Sequence, residues 1–158
     1  MSQQLTELFY KRVIGPTLKL WSIAIIDGVP QDVPPSRFDV STMSPCLFLR
    51  GRNSTRGPKM REWAKKLRAN WGIADGKTWL AEQYKIPAKM QEYYIPLTGT
   101  VFLSHDCDMV IPYLCFERGQ WVLDFNFLDY DWPDNGRLAA FSSLVAEDEG
   151  ESTILEVA

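Results

Sequence analysis

The chain has 158 residues, with 17 Lys and Arg against 20 Asp and Glu, and 46% hydrophobic, 23% charged and 13% aromatic residues. This length fits a single domain, since domains most often run ~100–150 residues, and a chain this long buries roughly 68–70% of its unfolded surface, enough for a core without staples. The globular hydrophobic fraction, the lack of a heptad run and the aperiodic Gly and Pro (ten each) exclude disorder, coiled coil and collagen, and the longest nearly uncharged apolar stretch, Leu20 to Ile26, is far short of the ~20 residues of a spanning helix.

In chain order, Leu5, Leu8, Phe9 and Val13 fall at helical spacing, which predicts an amphipathic helix over Gln3 to Ile14, closed by Gly15-Pro16. Leu18 to Ile26 reads as a strand ending at the turn Asp27-Gly28. Val29 to Ser36 reads as a loop, because Pro30, Pro34 and Pro35 lack the backbone donor. Cys46 to Leu49 is a candidate second strand, followed by the polar Arg50 to Gly57. A helix is predicted over Pro58 to Asn70, with Met60, Trp63, Ala64, Leu67 and Trp71 on one face and Pro58 in its first turn. A further helix is predicted from Gly76 to Tyr84, with Asp75 as N-cap and Trp79, Leu80 and Tyr84 inward.

From Tyr93 onward the character is β. Tyr93 to Leu97 and Thr100 to Ser104 are candidate strands around Thr98-Gly99, and Val110 to Phe116 should pair with Gln120 to Phe127 through Arg118-Gly119. Trp121, Leu123, Phe125 and Phe127 share one parity, with Asp124 and Asn126 on the other. Pro112 points to an edge strand or a bulge. Leu138 to Ser142 is a candidate last strand, and Ala146 to Glu151 an acidic, solvated stretch. The expected fold is α+β, a mainly antiparallel sheet with a C-terminal meander packed with about three helices. Residues 1–145 should form the domain and 146–158 an acidic tail.

Cys46, Cys107 and Cys115 make an odd count without metal-type or redox-type spacing, and Met1 to Thr6 lacks the basic start and apolar run of an export signal. A cytoplasmic location is expected.

Charge is segregated along the chain. Residues 1–49 carry four basic and four acidic residues, residues 50–89 eleven basic against three acidic, and residues 90–158 two basic against thirteen acidic. The two sets can compensate within the fold. The basic segment can also meet nucleic-acid phosphates, through Arg50, Arg52, Arg56, Lys65 and Arg68, although a net-acidic protein repels a polyanion elsewhere. Alternatively, opposed patches can steer a protein partner.

His105-Asp106-Cys107-Asp108 joins the one histidine to a thiol and two carboxylates. A metal- or thiol-dependent enzyme centred on His105 and Cys107 is thereby conceivable, but no second histidine exists, and alternation on a strand would turn His105 and Cys107 away from the two aspartates. No metal or other cofactor is expected. Cys115, mid-strand, reads as core. The loop from Asp129 to Gly136 fails as a calcium loop, because counting from Asp129 puts Pro133 at the fifth position and Ala140 at the twelfth. No glycine-rich phosphate loop is present.

The segment Val122 to Ser142, with its strand, Pro133, Gly136-Arg137 and Phe141, is faintly similar to the final hairpin of the SUKH superfamily of bacterial immunity proteins. That resemblance assigns no residue a role. The reading of the whole is a small protein-binding module without catalysis, an inhibitor or immunity-type protein whose acidic surface covers a basic cleft on a toxin or nuclease. Asp124, Asp129, Asp131 and Asp134 would steer, while Tyr130 and Trp132 would supply buried area.

Overall fold

The cleanest alternation in the sequence becomes the longest pair of strands. A computed structural model describes residues 21–49, 51–104 and 106–142. In chain order its strands are β1 (Ser22–Ile23), β2 (Ile25–Ile26), β3 (Val29–Pro30), β4 (Met43–Cys46), β5 (Ser54–Arg56), β6 (Ile95–Pro96), β7 (Phe102–Leu103), β8 (Met109–Glu117), β9 (Gln120–Phe127), β10 (Asp131–Pro133) and β11 (Leu138–Phe141). Helices α1 (Gly57–Lys66) and α2 (Ile73–Ala81) lie between β5 and β6. The fold is α+β with antiparallel sheets and two α-helices among the described residues. The helix expected over Gln3 to Ile14 and the acidic stretch Ala146 to Glu151 lie outside the described residues.

β8 and β9 pair from Val110↔Phe127 to Glu117↔Gln120. They are joined by Arg118 (φ 52) and Gly119 (φ 83), both left-handed, as a tight twisted hairpin requires. Val110, Pro112, Leu114, Trp121 and Leu123 share one buried face, but Phe127, at the end of that parity, is 51% exposed.

β8 is the central strand, with β9 on one edge and β6 and β7 in succession on the other. β6 and β7 do not pair with each other, contrary to the expected turn at Thr98-Gly99. Ile95↔Leu114 and Pro96↔Tyr113 belong to one register, Phe102↔Val110 and Leu103↔Met109 to another slipped by three residues. Thr98, Gly99 and Thr100 therefore leave the ladder as a buried excursion. Pro112 faces that gap. Its carbonyl accepts from the Leu97 N–H at 2.8 Å on the same side, so its missing donor points where the neighbouring strand has departed. A proline is thus tolerated in a central strand because its neighbour, not its own strand, carries the bulge.

The other differences from the sequence reading have local causes. Val29–Pro30, expected as loop, pairs with Ile25–Ile26 across Asp27 (φ 51) and Gly28 (φ 78). The second strand is Met43–Cys46 rather than Cys46 to Leu49, because its partner β11 aligns Leu138 with Cys46 and Phe141 with Met43. α1 stops at Lys66 instead of reaching Asn70. Arg68 turns left-handed (φ 54), the Ala69 N–H reaches the Ala64 carbonyl at 2.8 Å and the Arg68 N–H reaches Lys65 at 3.2 Å, which closes the helix end. α2 begins at Ile73 because the Thr100 hydroxyl accepts the Ile73 N–H at 2.8 Å. Asp75, expected as the N-cap, sits in the first turn, 2% exposed, and accepts from the Ser36 N–H (2.9 Å) and hydroxyl (2.8 Å), tying the proline-rich segment to the helix. Tyr84, expected inward, is 73% exposed because α2 ends at Ala81.

The excursion at Thr98 to Thr100 is the junction of all layers. Gly99 donates to the Trp71 carbonyl at 2.8 Å. Thr98 donates its hydroxyl to Asn70 Oδ1 (2.9 Å) and accepts Arg61 Nε at its carbonyl (2.9 Å), while Arg61 Nη2 reaches Gln31 Oε1 at 2.8 Å. Thr100 donates to Asp32 Oδ1 at 2.7 Å. One buried excursion thus holds α1, α2 and the first hairpin against β8.

A Cβ at Gly99 would meet Val33 Cγ2 at 2.6 Å, the Asn70 carbonyl oxygen at 2.8 Å and the Trp71 carbonyl carbon at 3.0 Å. Two of these are backbone atoms that cannot swing aside. Gly99→Ala is expected to cost about 2 kcal/mol or more, whereas Gly119→Ala, with open space but a left-handed φ, should cost about 1 kcal/mol. Denaturant titration of both variants checks the order, and a smaller loss at Gly99 than at Gly119 would contradict it.

Candidate functional site

The β8–β9 hairpin has a second face, carrying Ile111, Tyr113, Cys115 and Glu117 on β8 opposite Asn126, Asp124, Val122 and Gln120 on β9. Part of this face is covered by the segment that follows β9. β10 pairs antiparallel with β5, setting Asp131 opposite Arg56, Trp132 opposite Thr55 and Pro133 opposite Ser54. Strand alternation then turns Asp131 and Pro133 outward and Trp132 inward.

Trp132 is 1% exposed, with ring centroids 5.7 Å from Tyr113, 5.8 Å from Tyr94 and 6.4 Å from Tyr130. The Tyr94 hydroxyl donates to the Pro133 carbonyl at 2.6 Å. Tyr94 also donates its N–H to the Asn135 carbonyl at 3.2 Å and accepts the Arg137 N–H at 2.9 Å, around an isolated parallel bridge to Gly136. A Cβ at Gly136 would overlap the Tyr94 ring, so the absence of a side chain there lets the ring lie against the turn. Arg137 stacks its guanidinium over Tyr93 at 4.5 Å and donates to the Asp134 and Gly136 carbonyls. The 130–137 turn is therefore fixed from both sides.

Between this turn and the hairpin face lies a pocket of about 260 Å³, lined by Tyr94, Tyr113, Cys115, Glu117, Asn126, Tyr130, Trp132, Pro133 and Asn135. Glu117 and Asp124 place negative charge along its hairpin side, while Arg137 acts on Tyr94 in the opposite sense. Burial, the Glu117 carboxylate, to which the thiol donates at 3.5 Å, and then Asp124 push the Cys115 thiol up to about 12. Burial and then Asp124 hold the Tyr113 hydroxyl well above the usual phenol range, and burial does the same to Tyr94.

The residues expected to face a partner divide into two groups. Asp129, Asp131 and Asp134 are exposed, and Tyr130 stands 46% exposed between the first two. Trp132, expected as a surface anchor, is instead committed to the fold. Asp124 is half-buried and occupied at both oxygens, accepting Tyr113 Oη at 3.2 Å and the Phe125 N–H at 2.7 Å. The latter bond blunts the outer edge of β9, as do Asn126 at the Phe127 N–H and the Gln83 amide at Trp121.

Of the basic residues, Arg52, Arg56, Lys65 and Arg68 are exposed, and Arg50 lies outside the described residues. Arg56 faces Asp131 across the β5–β10 pair, so the opposed charge stretches meet there. Arg61 is withdrawn into the junction at Thr98, where burial lowers its pKa. His105 lies outside the described residues, and Cys107 is exposed in the β7–β8 turn with φ 64. Among the described residues no group of three His, Cys, Asp or Glu converges as metal ligands. Burial also raises the Cys46 thiol, so neither it nor Cys115 is a ready thiolate at neutral pH.

No protein-family model matches the chain, and neither a curated protein nor a solved structure matches it significantly.

Sequence reasoning missed Tyr94, Tyr113, Cys115, Glu117 and Asn135 as pocket residues. Cys115, expected as core, is half-buried on the pocket face. The parity of Tyr113, Cys115 and Glu117 against Pro112, Leu114 and Phe116 carried that signal.

The raised Cys115 pKa fixes a pH dependence. An unfolded thiol ionises near its ordinary 9.0 and the folded one only near 12, so between these values the unfolded state sheds the proton first and stability falls as pH rises. Denaturation midpoints between pH 8 and 11 should fall more steeply for the wild type than for Cys115→Ala, and equal slopes would contradict the assignment.

Proposed function

We propose that the protein acts by binding a basic protein partner through the surface around residues 129–134, without chemistry of its own, as an inhibitor or immunity-type protein covering a basic cleft on a toxin or nuclease. The observation that carries this reading is the exposed Tyr130 between the exposed carboxylates of Asp129 and Asp131. These side chains stand on a backbone already pinned by β5 and by Tyr94, so binding loses little freedom there. An aromatic side chain among carboxylates combines buried area with steering. Asp134 extends the acidic surface, and five further acids, Glu147, Asp148, Glu149, Glu151 and Glu156, follow in the sequence. No helix among the described residues is long and apolar enough to cross a membrane.

The test compares wild type, Asp129→Lys/Asp134→Lys and Arg52→Glu/Arg68→Glu as immobilised baits in an extract of the native host. Asp131 is left intact because a lysine there would face Arg56 across β10 and β5. A basic protein retained by wild type and by the arginine variant, with its association slowed at least tenfold at low salt (~10 mM) by the aspartate variant, is the expected result. Retention unaffected by the aspartate changes overturns the reading. So does retention of nucleic acid that is lost with Arg52 and Arg68.

A further inference from the structure

The pocket beside Tyr130 has a composition that selects its occupant. Four aromatic side chains, Tyr94, Tyr113, Tyr130 and Trp132, contribute to its wall, and ring faces carry negative electrostatic potential. Glu117 adds a formal negative charge at the mouth and forms no ion pair with a lysine or arginine among the described residues. Asp124 lies behind Tyr113, hydrogen-bonded to its hydroxyl. Of the basic side chains nearest in sequence, neither lines the pocket: Arg137 stacks on Tyr93 and bonds to the turn carbonyls, with its charge still felt at Tyr94, and Arg118 is exposed in the hairpin turn. The remaining lining groups, the amides of Asn126 and Asn135 and the Pro133 backbone, can receive hydrogen bonds through their oxygens.

We propose that this pocket receives an arginine side chain of the protein partner, its guanidinium stacked against the exposed Tyr130 ring and its donors directed to Glu117 and the asparagine oxygens. The inference rests on the protein-binding reading above and names the group recognised. A guanidinium is flat, offers five donors in a fixed fork and is weakly hydrated, so it can enter an aromatic slot that a compact, strongly hydrated ammonium leaves less readily for. The volume of about 260 Å³ is enough for one such side chain. Burial first, and Glu117 and Asp124 after it, keep the Cys115 thiol and the Tyr113 hydroxyl protonated, which leaves Glu117 as the charge that the guest meets.

The test titrates the full 158-residue chain with N-acetyl-arginine amide, and with the lysine and citrulline amides as competitors of altered chemistry, following the Trp132 indole N–H and the Cys115 amide by NMR. Citrulline keeps the shape of arginine without its charge. Saturable shifts at both probes for arginine, with citrulline and lysine at least about fivefold weaker, are expected. Glu117→Gln and, separately, Tyr130→Ala should weaken arginine at least about fivefold with unchanged spectra elsewhere. Equal binding of citrulline or lysine, or wild-type affinity in Glu117→Gln, overturns the proposal. If arginine fails to bind while the Asp129/Asp134 variant still loses the captured partner, the pocket assignment falls and the protein-binding reading stands. If arginine binds and no partner is retained, the reverse holds.

Discussion

The fold hangs on a close backbone approach at Gly99. There the strand layer comes within hydrogen-bond distance of the segment joining the two helices, and only the smallest residue leaves room for Val33, Asn70 and Trp71 around it. Thr98 and Thr100 on either side convert that approach into a polar junction, one capping the start of α2 and binding Asp32, the other holding Arg61 and Asn70. Each bond has a modest net worth, about 1 kcal/mol, but a buried donor left unmade there costs about 1–3 kcal/mol. The junction therefore specifies one arrangement of the layers more strongly than it adds to stability.

The same excursion sets the geometry of the pocket. Because residues 98–100 leave the ladder, the stretch before them stays paired with the far end of β8 at Leu114 and Tyr113, which delivers Tyr94 to the hairpin's second face. Tyr94 then fastens the turn after β10 through Pro133, Asn135 and Arg137. Strand pairing also brings the two charge stretches side by side. The basic stretch and the acidic stretch meet edge to edge where β5 binds β10, with Arg56 opposite Asp131. Lys59–Glu62 and Lys85–Glu82 pair within the basic stretch itself, at 3.2 and 3.6 Å, and such exposed pairs contribute about 0–1 kcal/mol. Asp129, Asp134 and Glu117 stay exposed, Glu117 in the pocket wall and the two aspartates next in sequence to its lining residues Tyr130, Pro133 and Asn135.

Local pattern was legible in the sequence and long-range pairing was not. The β8–β9 hairpin followed from alternation and from Arg118-Gly119, and α1 from the spacing of Met60, Trp63 and Ala64, because these signals lie within a few residues of what they determine. The excursion was unreadable, since its cause is a slip of register against β8 and its partners lie as far away as Asp32 and Trp71. The start of α2 was missed for the same reason, its cap being Thr100 rather than a neighbour. At the site, the exposed aspartates and Tyr130 could be named from the turn-rich acidic run, whereas the burial of Trp132, expected among the partner-binding residues, depends on a three-residue strand pairing with Ser54–Arg56.

The central claim is that the pocket is preformed, held by the junction that holds the fold. Native-state hydrogen exchange tests it most directly at the amides of Gly99, Tyr94 and Arg137, bonded to the carbonyls of Trp71, Asn135 and Tyr94. The account predicts that all three are protected and that Gly99→Ala lowers the protection of Tyr94 and Arg137 together with that of residue 99. Exchange of Tyr94 and Arg137 at the rate of an open loop, or protection there that ignores the change at residue 99, would contradict it.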